Sequence, residues 1–329
     1  MKIKYRKPLM IIGIIVFALL VLWRLSFFLK FNDHPQFGVT FSTLQAKELG
    51  LQWKDVYLAT LDDLKVKNIR IPVYWDEVEK SPDQYDFSEI DWQMDEAQKR
   101  NAKIILAIGQ RVPRWPECHR PIWEESADEK KQKEDLLKYL EVVILRYKDN
   151  SALEIWQVEN EPFLNVFGNC PVGNGKLLDQ EIALVGKLDS NHKIMITDSG
   201  ELSSWTQTAK RGDYFGSSIY RSVQTFLGFF SYKYITPTAF YRLKAWLVGK
   251  SSNEIFVSEL QAEPWTRQPM TQTSVKDQAK SFDIQDFKDN ILFARQLGFP
   301  RIYFWGVEWW YWKKLQGDAS FWTTAQEMF

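Results

Sequence analysis

Histidine is scarce in this chain: three among 329 residues, beside two cysteines and equal numbers of acidic and basic side chains. Each shortage removes a class of chemistry. No HExxH and no paired Cys-x-x-Cys occurs and the histidines do not cluster, so a zinc site is not expected. His34 falls in a linker, His119 in a loop after the third strand signal, and His192 just before the fifth, at the end of the strands away from a site. A Ser-His-Asp arrangement would have to recruit His119, and no nucleophile-elbow sequence accompanies it. No glycine-rich phosphate loop follows a strand signal, and the balanced charge lacks the basic stripe that nucleic acid requires. Acid–base chemistry is left to carboxylates. No metal or organic cofactor is required for it, and nothing in the pattern names a protein partner.

The N-terminus also lacks something. Lys2, Lys4, Arg6 and Lys7 precede an apolar run over residues 9–23, which Arg24 interrupts before residues 25–29 resume it. No small residues stand near its end at the spacing a signal peptidase needs. Arg24 can snorkel, so residues 8–29 are expected to form one uncleaved transmembrane helix. The basic residues place its start in the cytoplasm. Residues 1–31 then read as a cytoplasmic tail and membrane anchor, and residues 32–329 as a domain on the outer side of the cytoplasmic membrane. That compartment permits a disulfide between Cys118 and Cys170, which fall in loops at the same end of adjacent strands.

Beyond the linker, strand and helix signals alternate. Strands are expected over residues 36–42, 68–74, 103–110, 153–161, 193–198, 214–220, 254–260 and 301–305. Helical stripes lie between them, such as Leu136, Leu140, Ile144 and Tyr147. Ser88 with Asp91 three residues on reads as a capping box. Eight such repeats point to an α/β fold of the (β/α)8 TIM-barrel class, preceded by the transmembrane helix.

In that architecture catalytic groups sit at C-terminal strand ends. Asn160, Glu161, Tyr220, Glu259 and Trp305 all do. The apolar run from Ile155 stops in Glu159-Asn160-Glu161-Pro162, and proline should end the strand at Glu161. A second glutamate, Glu259, ends the seventh strand, and such a pair suits a glycosidic bond. Arg70 lies inside the second strand, where an unpaired charge is costly, so it is expected to meet a carboxylate across the mouth. Glu161 is then the proton donor and Glu259 the nucleophile, with Arg70 and Tyr220 beside it. Asn160 is expected to hold a sugar hydroxyl and Trp305 to floor the sugar ring. Gln110 and Arg111, Trp115 and Trp123, Asp198 and Glu308 are further candidates for lining the cleft. The aromatic run over residues 305–312 reads as a platform, and the aromatic loop over residues 226–234 as a surface that rests on the membrane or covers a lipid-linked glycan, or as packing under the next helix.

The segment Trp156 to Pro162, the Ser258-Glu259 strand end, Tyr220 and Trp305 resemble clan A glycoside hydrolases, most of all the cellulase-like family five type. Arg70-Ile71-Pro72-Val73-Tyr74-Trp75 and Tyr85-Asp86-Phe87-Ser88 share the resemblance, which covers the chain after Phe31. It implies a retaining hydrolase of a β-linked glycan, with Glu161 as acid/base and Glu259 as nucleophile. Two family features depart: Ser218 stands where many members carry a histidine, and the histidine near the acid/base has no counterpart unless His119 serves. A membrane-anchored transglycosylase would use the same residues, and a non-catalytic glycan-binding surface protein would keep the barrel without needing the pair.

Overall fold

The computed structural model describes residues 6–28, 32, 34–224, 231–233, 235–266 and 268–329. Eight parallel strands close into a barrel: β1 (Gln36–Thr40), β2 (Asn68–Pro72), β3 (Lys103–Ile108), β4 (Leu153–Val158), β5 (Lys193–Ser199), β6 (Tyr214–Ile219), β9 (Ile255–Gln261) and β10 (Arg301–Trp305). Between β6 and β9 runs a small antiparallel hairpin, β7 (Ser222–Gln224) with β8 (Ser231–Lys233). The ring order is β1, β10, β9, β6, β5, β4, β3, β2, and β1 closes on β2.

Strand periodicity sorts the barrel interior into layers. Ile105, Ile155, Met195, Phe256 and Tyr303 form an apolar plug inside the ring. Two residues further along their strands come Gln157, Thr197, Ser258 and Trp305, a mostly polar layer nearer the C-terminal mouth. The strands' other faces pack on the surrounding helices. On helix Glu129–Tyr147, Leu136, Leu140, Ile144 and Tyr147 are all buried against the barrel, and Asp128 caps its start by accepting from the Lys131 N–H.

Several local expectations are corrected. No capping box forms at Ser88: the helix begins at Ser88, whose N–H donates to Asp86 Oδ1 at 2.9 Å, while Asp91 accepts from Arg146 and Tyr147. Asp86, two residues upstream, reaches the free N–H first. β4 stops at Val158, not Glu161, because Glu159 and Glu161 take φ of 58° and 47°. The aromatic run after β10 is largely a helix, Val307–Leu315, whose Trp309 and Trp310 are buried in the outer core. Its indoles donate to Gln278 and to the Ala262 carbonyl, so this part of the run is packing and not a platform.

The N-terminal helix Arg6–Phe28 is continuous, and its described side chains, residues 10–22, are apolar and exposed. Among the described residues no helix is long and apolar enough to cross a membrane. The span expected over residues 8–29 is corrected accordingly. Leu29 lies outside the described residues, and the side chains described on this helix, residues 10–22, cover about 20 Å of its length against roughly 30 Å of hydrocarbon.

Cys118 and Cys170 are joined, with Cα atoms 5.2 Å apart, tying the loop after β3 to the loop after β4 across 52 residues of sequence. Replacing both by serine is expected to lower the unfolding free energy by about 2–4 kcal/mol. Urea denaturation checks this, and a midpoint equal to that of the parent protein would show that the bridge does not constrain the unfolded chain.

Candidate active site

Arg70 is the centre of the site. It points from β2 into the barrel, is fully buried, and spends its guanidinium on groups from four strands or strand ends. Its Nε donates to Gln157 Oε1 at 2.6 Å, Nη1 to Glu259 Oε1 at 2.8 Å, and Nη2 to Asn160 Oδ1 at 2.7 Å. Longer bonds reach Thr40 Oγ1 and the Ser258 carbonyl, each at 3.4 Å. The expectation that Arg70 meets a carboxylate at the mouth thus finds Glu259. A buried ion pair of this kind holds its place only when its remaining hydrogen-bonding capacity is satisfied, and Gln157 and Asn160 do that.

Asn160 is fixed on every side. Its carbonyl oxygen accepts from Arg70, from Gln157 Nε2 at 3.3 Å and from Thr197 Oγ1 at 3.0 Å, and its amide donates to Glu117 Oε2 at 3.2 Å. Three donors occupy the carbonyl, so the expected sugar-hydroxyl role is left to the amide's second N–H. Glu161 follows directly. Its backbone N–H donates to Thr197 Oγ1 at 3.0 Å, and Ser218 Oγ donates to its carboxyl. The departure noted at Ser218 therefore places a hydroxyl on the very group expected to carry the proton. Burial pushes the Glu161 carboxyl well above its ordinary range, and the charge of Glu259 adds to that, against the Ser218 hydrogen bond. On the other side Tyr220 donates its O–H to Glu259 Oε2 at 2.8 Å. Burial and the adjacent Glu259 charge hold that phenol protonated, so it remains a donor.

The turn carrying Asn160 is locked from behind. Glu159 accepts from the N–H groups of Gln110 at 2.9 Å and Arg111 at 2.8 Å. Gly109 makes room for it: at φ 130° a Cβ there would lie 2.5 Å from Glu159 Oε1. Burial raises Glu159 to about 7, and burial together with the Glu159 charge pushes its buried neighbour Glu181 well above the ordinary carboxylate range.

Other candidates lie elsewhere than expected. Gln110 is half-buried and meets this network through its backbone. Arg111 does not line the cleft: its guanidinium donates to the carbonyls of Leu164 and Phe167 in the loop after β4. Trp115 is 62% exposed at the rim, edge-on to Phe167. Trp123 is away from the mouth, donating to the Glu79 carbonyl and packed on Trp75. Asp198 is structural, accepting from Ser203, Thr208 and the Ser199 N–H. His119 is buried beside Tyr74, its Nε2 at 3.1 Å from the Arg114 carbonyl, and it makes no contact with Glu161. Glu308 is fully buried and holds the Ser42 N–H and Arg114. Trp305 stands at the mouth edge-on to Tyr220, but the Arg114 guanidinium lies 4.1 Å over its ring, so that face is not a floor for sugar. The aromatic loop over residues 226–234 lies largely outside the described residues.

Gln157, Thr197, Glu117 and Arg114 were not singled out in the sequence. Gln157 carried a signal, as a polar residue inside an apolar strand. Thr197 carried none, because threonine is ordinary in strands. Glu117 and Arg114 sit in an irregular loop where position cannot be read from periodicity.

The model of the cellulase family, glycosyl hydrolase family 5, matches residues 35–220, more than half of the chain. The chain belongs to that family. It is a glycoside hydrolase, and its substrate is a carbohydrate. No curated protein sequence matches it. Among solved structures, it is similar to a GH5_18 protein from Bifidobacterium longum subsp. infantis, with 12% identity over 83% of this chain and 69% of that one and a TM-score of 0.57. The xylanase XynB of Paenibacillus barcinonensis gives 14% identity, 83% and 84% coverage and a TM-score of 0.55. The β-galactosidase of the psychrophilic Marinomonas ef1 gives 10% identity and a TM-score of 0.51 over 82% of this chain and 53% of that one. The chain thus spans about half the length of that last enzyme. At these identities the likeness speaks to the fold.

Burial raises Glu117, Glu159, Glu201 and Glu308 each to about 7. A carboxyl whose folded value lies above its unfolded value binds more protons when folded, so its stabilisation is complete in mild acid and lost as pH rises. The thermal midpoint is therefore expected to fall between about pH 5 and about pH 8, the window set by the ordinary value of 4.5 and the raised value of about 7. A midpoint that climbs across that range in differential scanning calorimetry would contradict these burial effects.

Proposed function

We propose that this glycoside hydrolase cleaves a β-linked glycoside with retention, using Glu161 as acid/base and Glu259 as nucleophile. One observation carries the reading: Arg70 bonds both Glu259 and the Asn160 that precedes Glu161, so a single buried cation fixes the two carboxyl groups relative to each other. Glu259 attacks the anomeric carbon while the Glu161 proton passes to the leaving oxygen, breaking the glycosidic C–O bond and leaving a glycosyl ester on Glu259. Water then gives its proton to Glu161 and attacks the same carbon, releasing the sugar and the Glu259 carboxylate. A retaining pair stands roughly 5–5.5 Å apart. The raised Glu161 carboxyl supports the acid role, since a donor must hold its proton near neutral pH.

Glu161→Ala is expected to reduce turnover of aryl β-glycosides by about 10²–10⁴, least with good leaving groups that need no proton. Azide should restore it and yield the β-glycosyl azide. Glu259→Ala should abolish turnover, and azide should then yield the α-azide. The opposite anomers would exchange the two roles. Because Glu259→Ala leaves Arg70 buried and unpaired, circular dichroism must first show that this variant is folded.

The exposed apolar helix at residues 10–22 and the basic residues Lys2, Lys4, Arg6 and Lys7 support attachment of the barrel to a membrane. The Cys118–Cys170 bridge supports an oxidising compartment, hence the outer side of the cytoplasmic membrane. Full-length protein is expected to sediment with the membranes of a low-salt lysate and to be digested by protease added to intact spheroplasts. Recovery in the supernatant, or protection in spheroplasts with digestion after lysis, would overturn this placement.

A further inference from the structure

The loop after β3 crosses the mouth. β3 and β9 face each other in the ring, with three strands between them on either side. Arg114 nevertheless pairs with Glu263, just beyond β9, and with Glu308 at 3.2 Å, just beyond β10. All three are buried. The guanidinium covers Trp305, Tyr74 beneath donates to the Pro113 carbonyl at 3.2 Å, and Glu308 takes the Ser42 N–H from the end of β1. The half of the mouth over β1, β2 and β10 is therefore filled with protein.

The crossing is also built to stay. Arg114 has φ 96°, and Glu117, three residues on, closes the turn by donating its N–H to the Arg114 carbonyl at 2.7 Å. The disulfide and Arg111 bind this loop to the one after β4. From that second loop Phe167 meets Trp265, beyond β9, with ring centroids 5.2 Å apart. Trp265 in turn stands edge-on to Tyr220, the donor to Glu259. Gly306 lets the loops after β9 and β10 approach, since a Cβ there would lie 2.6 Å from that of Glu263.

A glycan cut internally must lie across the mouth with sugars on both sides of the broken bond. We propose that the Arg114–Glu263–Glu308 strap prevents this, so the enzyme acts at chain ends and removes one terminal sugar at a time, with the remainder of the substrate over β4, β5 and β6. This rests on the glycosidase mechanism proposed above. The strap also constrains charge. Arg114 is already matched by two carboxylates, so the terminal sugar it faces is a neutral one and not a uronic acid.

The test uses the full-length protein in detergent. Its probes are aryl β-glycosides of neutral hexoses and xylose, and the matching β-linked hexasaccharides labelled at the reducing end. Wild-type protein is expected to turn over an aryl glycoside and to shorten the labelled hexamer through the pentamer and then the tetramer. Labelled dimers and trimers among the first products would overturn the proposal while leaving the glycosidase reading intact. No turnover of any probe would overturn that reading, and this proposal with it. Arg114→Ala and Glu263→Gln are expected to raise the share of mid-chain products at least 10-fold. The wild-type product pattern stands as the deciding measurement where a variant does not fold.

Discussion

A full positive charge at the axis of a closed barrel is the constraint that the rest of this site answers to. Arg70 has no exposed surface, and the cost of burying an unpaired cation would exceed the stability of an ordinary domain's margin. Its solution draws in Thr40 from β1, Gln157 from β4, Asn160 from the turn beyond it, and Ser258 and Glu259 from β9. These are groups that lie far apart in sequence. Satisfying one guanidinium therefore fixes the positions of the chemistry-bearing side chains. Stability and preorganisation come from the same bonds.

Around that centre the two glutamates are treated differently. The Glu161 carboxyl has a hydroxyl donor in Ser218 and, among the described residues, no cation, and burial beside another carboxylate holds its proton. Glu259 has the cation and a phenol donor. Two residues of one type in one cavity thereby meet unlike partners, an asymmetry that suits the double displacement proposed above. Further buried carboxyls, Glu159 with Glu181 behind the turn and Glu117 above Asn160, extend the cluster. Their shared dependence on proton count makes the site's architecture sensitive to alkali.

Much was legible because barrel periodicity is local. The eight strands, their helices and the placement of Asn160, Glu161 and Glu259 at C-terminal ends follow from apolar runs broken by polar residues. Arg70 was legible for an energetic reason, as a charge in a strand that must find a partner. Trp305 was found but its use was not, because covering one ring face by Arg114 depends on where a loop from the opposite side of the ring comes to rest. The tryptophans after β10 were misread for a related reason: an aromatic run suits a sugar platform and a helix buried in a core equally well, and only the packing of Trp309 and Trp310 distinguishes them. At Ser88 a competing acceptor two residues upstream defeated a correct-looking cap motif.

The amino-acid sequence by itself determined the ring of strands, the carboxylate pair and the need to neutralise Arg70, since hydrophobic period and the cost of buried charge act residue by residue. Tertiary structure alone decided that Asn160 is held by three donors, that Ser218 meets Glu161, and that Arg114 crosses from β3 to β9 and β10. Those contacts join residues separated by tens to hundreds of positions through irregular loops, whose course is set by closure of the barrel and not by any local preference of the chain.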